Sequence, residues 1–152
     1  MKIVLFLLTL ICGLSVSQVV TAQTKSRLAP VFNHSAVCVQ DLKRSTTFYR
    51  TVLMLEEIPN PFNDGLHTWL SIGPGIQLHI IQRQCTPNAD KNIHMCFKVP
   101  VLAEFISHLE KLGVAYTNLK GEGKDPTLRA DGVKQIYLQD PDGYWIEIND
   151  AK

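Results

Sequence analysis

The feature that most restricts this chain is an order of elements that occurs twice. Residues 32–39 alternate apolar and polar side chains as a strand does, and Asp41 then stands where a helix N-cap is expected. The helix that follows sets Leu42, Ser45, Phe48, Tyr49, Val52 and Leu53 on one face. Three short strands come next, near residues 56–58, 66–71 and 77–82, divided by the turn-forming stretches NPFNDG and GPG. After a polar linker at 83–92 the order begins again. A strand at 93–99 leads through Pro100 to a helix with Leu102, Phe105, Ile106, Leu109 and Leu112 at helical spacing, stopped by Gly113. Strands near 115–119, 135–138 and 144–149 complete a second βαβββ unit.

Neither half carries enough apolar surface to stand alone, whereas two helix-covered sheets can pack as one domain. The expected fold is therefore α+β. It consists of two βαβββ modules, about 32–82 and 93–150, within a single domain at 32–152, with curved mixed sheets around a concave cavity.

Residues 1–22 have the layout of a cleavable secretory signal: one early lysine, an unbroken apolar run, then small residues ending in Val20-Thr21-Ala22. An uncleaved anchor is the competing reading, since the run is nearly long enough to span a bilayer. The polar QTKSR beyond it and the small residues at the cut favour cleavage after Ala22. Thr9, Leu10 and Ile11 ahead of Cys12 do not make a lipobox. The mature chain, opening on a short segment at 23–31, is expected to be periplasmic or extracellular and free of the membrane. A formal net charge of +1 over 152 residues excludes an electrostatic grip on nucleic acid. Cys38, Cys85 and Cys96 remain after cleavage, too few for a disulfide-stapled scaffold and an odd number, so a hydrophobic core must hold the fold.

Strand parity then sorts the polar residues. Side chains alternate across a strand, so His34, Ala36 and Cys38 oppose Ser35, Val37 and Val39, and Gln77, His79 and Ile81 oppose Leu78 and Ile80. In the second module His94, Cys96 and Lys98 oppose Met95, Phe97 and Val99, while Trp145, Glu147 and Asn149 oppose Ile146 and Ile148. A strand histidine taken singly is more often a satisfied or half-exposed residue than a ligand, and a strand glutamate is usually solvated. The joint pattern weighs more, because His34 and His94 occupy equivalent places in the two modules, as do His79 and Glu147. If the four strands line one cavity, three imidazoles and one carboxylate meet there, a set suited to one divalent ion of Zn, Ni, Co, Fe or Mn.

With these residues in place, HSAVCVQDLKRSTTFYRTVLMLE resembles the opening signature, and QIYLQDPDGYWIEIND the closing signature, of the vicinal oxygen chelate superfamily. That group includes glyoxalase I, methylmalonyl-CoA epimerase, extradiol dioxygenases and fosfomycin-resistance proteins. The resemblance covers the mature chain and implies the paired βαβββ fold, with His34, His79, His94 and Glu147 as metal ligands. It departs from glyoxalase I in two places: His79 stands where Glu is usual, and the Gly expected near Met54 is absent. The implied chemistry is chelation of two adjacent substrate oxygens by the metal, which stabilises an enediolate once a base has removed a neighbouring proton. Glu147 is then ligand and base, and His79 a ligand or second proton carrier. Glyoxalase I acts on a cytosolic glutathione adduct, so an exported relative is expected to use another small molecule. Homodimers are common in the superfamily, in some cases with the metal site shared between subunits.

Two alternatives remain open. His34, His94 and Glu147 also form the two-histidine, one-carboxylate set of Fe(II) extradiol dioxygenases, with His79 as a nearby base. Relatives of bleomycin resistance proteins sequester a ligand without chemistry, and Trp69, Tyr137 and Trp145 could line such a cleft, although ordinary packing is the simpler role for Tyr137. Other polar residues receive plain roles. His67 and His108 match no ligand position, and His108 is placed on an exposed helix face. Lys43, Arg44 and Arg50 form a solvated helix face, and Arg129, in the loop before the seventh strand, could reach an anionic substrate, although solvent exposure is its simpler role. Cys38 and Cys96, on the same strand faces as His34 and His94, could approach the site or pair with each other in an oxidising compartment, although packing is the commoner role of small buried cysteines.

Overall fold

The computed structural model describes residues 28–152; the signal at 1–22 and most of the 23–31 segment lie outside the described residues. From Phe32 to Lys152 the chain follows the doubled order. β1 (His34–Val39), α1 (Leu42–Thr51), β2 (Glu56–Ile58), β3 (His67–Gly73) and β4 (Ile76–Gln82) form the first module. β5 (His94–Lys98), α2 (Leu102–Lys111), β6 (Thr127–Leu128), β7 (Lys134–Gln139) and β8 (Trp145–Asn149) form the second.

Each module is a four-stranded mixed sheet, ordered β1-β4-β3-β2 and β5-β8-β7-β6. In both, the first strand runs parallel to the last, and the remaining pairs are antiparallel. Parallel pairing needs a crossover, and the helix of each module supplies it on one face of the sheet. Asp41 caps α1 as its sequence position foretells, its Oδ1 accepting from Arg44 N at 2.9 Å.

The strand parity holds. Val37, Val39, Leu70, Leu78 and Ile80 of the first sheet, with Ile136, Leu138, Ile146 and Ile148 of the second, belong to one buried cluster. Tyr49 and Val52 of α1 and Leu102, Phe105 and Leu109 of α2 join it, so both helices cover aliphatic faces of one continuous core. Burying each such Leu or Ile contributes about 1.5–3 kcal/mol. The opposite faces of the sheets carry the polar candidates.

Three expectations are corrected. The strand foreseen at 115–119 is only an isolated bridge, in which Thr117 and Tyr137 exchange a pair of 2.8 Å backbone bonds. Beyond it Asn118 folds the chain back through a turn at Gly121 (φ +80°), and the partner of β7 is supplied by Thr127–Leu128. His108 is not free on a helix face: its Nε2 lies 3.1 Å from Thr51 O and 3.2 Å from Val52 O, at the end of α1. Cys38 pairs with Cys85, across 47 residues, and Cys96 is the free thiol.

The DPDG turn between β7 and β8 also fastens the modules together. Asp142 accepts from Gln40 N (2.9 Å), Ser45 Oγ (2.6 Å) and Arg44 Nη2 (3.1 Å), all at the start of α1. Arg44 is thus an ion-pair partner and not simply part of a solvated face. Asp140, 5 % exposed, accepts from Tyr49 OH at 2.8 Å while its other oxygen accepts from the backbone N–H groups of Asp142 and Tyr144.

Candidate metal and substrate site

The four candidate ligands fall into two pairs. In the first module β1 and β4 run side by side, which sets the rings of His34 and His79 face to face, 4.3 Å between centroids and 12° between planes. Trp69, paired with His79 across β3 and β4, stacks on its other side at 4.1 Å and 3°. Phe62 then meets Trp69 edge-on at 5.9 Å. His79 Nε2 lies 2.8 Å from Gln77 Oε1 and His34 Nδ1 lies 2.7 Å from Asn33 Oδ1, contacts through which a neutral ring donates one N–H and keeps its other nitrogen as a lone pair. Burial, then the neighbouring imidazoles of His34 and His67, holds His79 below the usual histidine range, which keeps it in the neutral form that binds metal. His67 itself is engaged by Asp64 at 2.8 Å.

In the second module β5 and β8 are parallel neighbours, and His94 approaches Glu147, Nε2 to Oε2, at 3.3 Å. The Glu147 carboxylate is ringed by donors. Tyr137 OH donates to Oε2 at 2.6 Å, and is itself met by Gln135 Nε2 at 3.0 Å. Asn149 Nδ2 (2.8 Å) and the Cys96 thiol (3.3 Å) donate to Oε1, and Arg129 Nη1 stands 3.7 Å from the same oxygen. Burial works to raise the Glu147 carboxyl, but the bonds from Tyr137, Asn149 and Cys96 and the nearness of His94 outweigh it and hold it below the usual range. Burial, and then the same carboxylate, push the Cys96 thiol up to about 12, so it stays protonated and acts as a donor.

The pairs do not merge: among the described residues no group of three or more metal-capable side chains gathers at one point. The rings of His34 and His79 lie in nearly parallel planes, and imidazole lone pairs lie in the ring plane, so a common ion requires one ring to turn. Of the candidates, the structure brings His34 to His79 and His94 to Glu147, and nothing further.

Reading the sequence by parity placed these four residues on the right faces, and Asn149 beside Glu147 by the same rule. The contacts of Tyr137 and Gln135 at this carboxylate are not legible in the sequence, and for Arg129 only a possible meeting with an anion is. Tyr137 reaches Glu147 because the register of β7 against β8 sets the two opposite each other, and register is invisible without the pairing. Arg129 arrives from a loop, where no periodicity operates.

The doubled βαβββ fold with paired ligand-type residues on its polar faces defines a class of metal-chelating enzymes and ligand binders. The chain belongs to the Glyoxalase/Bleomycin resistance protein/Dioxygenase superfamily, whose family profile matches residues 31–148. A lactoylglutathione lyase of Pseudomonas aeruginosa is 29% identical in an alignment of 160 positions that covers 80% of this chain and 82% of that protein. Glyoxylase I 4 of Arabidopsis thaliana is 29% identical in an alignment of 128 positions that covers 76% of this chain and 68% of that one. Among solved structures, a protein of Bacillus anthracis assigned to the glyoxalase family superposes with a TM-score of 0.67 at 26% identity, covering 84% of this chain and all of its own. A fosfomycin resistance protein of Listeria monocytogenes shares the fold, with a TM-score of 0.67 at 21% identity over 82% of this chain and 94% of its own.

Proposed function

We propose that the chain is an exported, divalent-metal-dependent enzyme of the glyoxalase I kind. It rearranges a small substrate with two adjacent oxygens by moving a proton from the carbon beside them. The observation that carries this reading is the contact between His94 and Glu147. His94 Nδ1 lies 2.7 Å from the carbonyl oxygen of Lys91, so the neutral ring donates there and turns the lone pair of Nε2 toward Glu147 Oε2 at 3.3 Å. Two lone pairs at that range repel unless a cation accompanies them, either the proton of a charged imidazole or a metal ion. A carboxylate beside an imidazole whose tautomer is fixed by a backbone carbonyl is a donor arrangement that fits Zn, Ni, Co, Fe or Mn.

His34, His79, His94 and Glu147 would hold the ion, which supplies Lewis acidity toward the substrate's oxygens when bound. Glu147 takes the proton, and Tyr137 and Asn149 fix its carboxylate plane. The separation of the two pairs within one chain supports a homodimer in which the pair of one copy meets the complementary pair of another. The Cys38–Cys85 bond supports export, since such bonds persist in oxidising compartments. No helix among the described residues is long and apolar enough to cross a membrane, and the near-neutral charge speaks against nucleic acid as a partner.

The test is elemental analysis of protein purified without chelators, beside His34→Ala and Glu147→Gln variants. One ion per chain in the wild type, lost in both variants while the fold is retained, is the expected result. Iron together with a requirement for O₂ would instead select the extradiol dioxygenase reading, and no metal after reconstitution would select a ligand-sequestering protein.

A further inference from the structure

We propose that Arg129 determines the specificity of this site, and that it selects a small organic anion whose carboxylate is bonded directly to the carbon bearing one of the two chelating oxygens. The inference rests on the metal-binding reading above and names its substrate class. The turn that carries Arg129 is closed by its own backbone: Arg129 N donates to Val133 O at 2.8 Å, and Gly132 N to Arg129 O at 3.0 Å. One end of the guanidinium is steadied by Asp131 Oδ2, 2.7 Å from Nη2. The other end, Nη1, stops 3.7 Å from Glu147 Oε1, an oxygen that already accepts from Asn149 and Cys96. Glu147 therefore does not need this guanidinium as a donor, and the side chain remains 41% exposed at the edge of the site. A guanidinium carries five N–H donors, so these two contacts leave others available, in the fork geometry that matches a planar carboxylate.

Charge points the same way. Three imidazoles coordinate as neutral groups, so the protein brings a divalent ion only the single negative charge of Glu147. Lys91 adds a second cation on the same face, its Nζ 4.4 Å from the ring centre of Trp145 and 5.5 Å from that of Tyr137, tethered to the carbonyl oxygens of Asn118 and Leu119. With the ion in place, Glu147 and Asp131 offset only half of the positive charge that the ion, Arg129 and Lys91 bring together. A neutral substrate would leave that excess uncompensated in a partly desolvated site, and an anion offsets it.

Pyruvate and its uncharged amide, pyruvamide, separate charge from shape, because both present two adjacent oxygens on the same skeleton. The full chain is loaded with Co(II), and each probe is titrated against the visible absorption band of the bound cobalt and by calorimetry. In the wild type, pyruvate is expected to bind at least tenfold more tightly than pyruvamide. Arg129→Gln is expected to lose about tenfold for pyruvate while pyruvamide and cobalt affinity stay within twofold, and Arg129→Lys to recover part of the loss. Equal affinity of the two probes in the wild type, or an Arg129→Gln variant that weakens cobalt or both probes alike, would overturn the proposal while leaving the metal site standing. Absence of any cobalt band in the wild type would overturn the metal reading, and this proposal with it.

Discussion

Met54 shows how a single residue can record a departure from a family pattern. The signature calls for glycine near this position, and Met54 adopts the left-handed conformation (φ 56°) that glycine takes without strain. Its side chain is 62% exposed, so little packing repays that strain. Met54→Gly is expected to stabilise the protein by about 0.5–1 kcal/mol, the strain relieved less the entropy glycine adds to the unfolded chain. Urea unfolding measures it, and a loss of stability would show that the methionine packs to more purpose than its exposure implies. Here the sequence was legible to the residue, because the backbone demand is local. Asp140 is the opposite case: DPDG reads as a turn, and nothing in it announces that one carboxylate is buried against Tyr49 of the other module.

At the scale of elements, that contact joins α1 to the β7–β8 turn and can be tested as such. Tyr49→Phe keeps the buried ring but leaves Asp140 Oδ2 without its donor. The expected cost is about 1–3 kcal/mol, and most of it should vanish in an Asp140→Asn background, where the two changes share one interaction. The pH dependence has a definite sign. Burial raises the Asp140 carboxyl above its ordinary value, against the bonds from Tyr49 and the turn amides that lower it. The folded state therefore holds this proton to higher pH than the unfolded chain does. Its contribution is fully present below the unfolded value near 4 and is lost as pH rises through the raised folded value. The stability of the wild type relative to Asp140→Asn should thus increase on acidification through that window, measured by thermal unfolding of both proteins across it. Two helices and the polar faces of the strands were legible because periodicity and parity are properties of neighbouring residues, whereas the pairing of first with last strand in each sheet is not. The strand expected at 115–119 failed because its alternation continues past the single bridge at Thr117, while the backbone turns away at Gly121. The Cys38–Cys85 pairing was likewise beyond parity, since Cys85 lies in the linker, outside any strand.

For the whole molecule, the disulfide and the divided ligand set make separate demands. Cys38–Cys85 closes a 47-residue separation that includes all of α1 and β2–β4. Replacing both cysteines by serine is expected to lower unfolding stability by about 2–4 kcal/mol, because the unlinked chain gains freedom when unfolded. The dimer proposed above would bring the divided candidates together. In a two-fold dimer that joins the first module of one chain to the second module of the other, every site draws His34 and His79 from one subunit and His94 and Glu147 from its partner. A His34→Ala chain and a His94→Ala chain each spoil every site in their own dimers. Mixed and allowed to exchange, half of the dimers pair the two variants, and each of those carries one site with both modules intact. Metal content should then recover to about one quarter of the wild-type value per chain, whereas sites built within single chains would recover nothing. Elemental analysis after mixing decides between these, and it does so before any substrate is known.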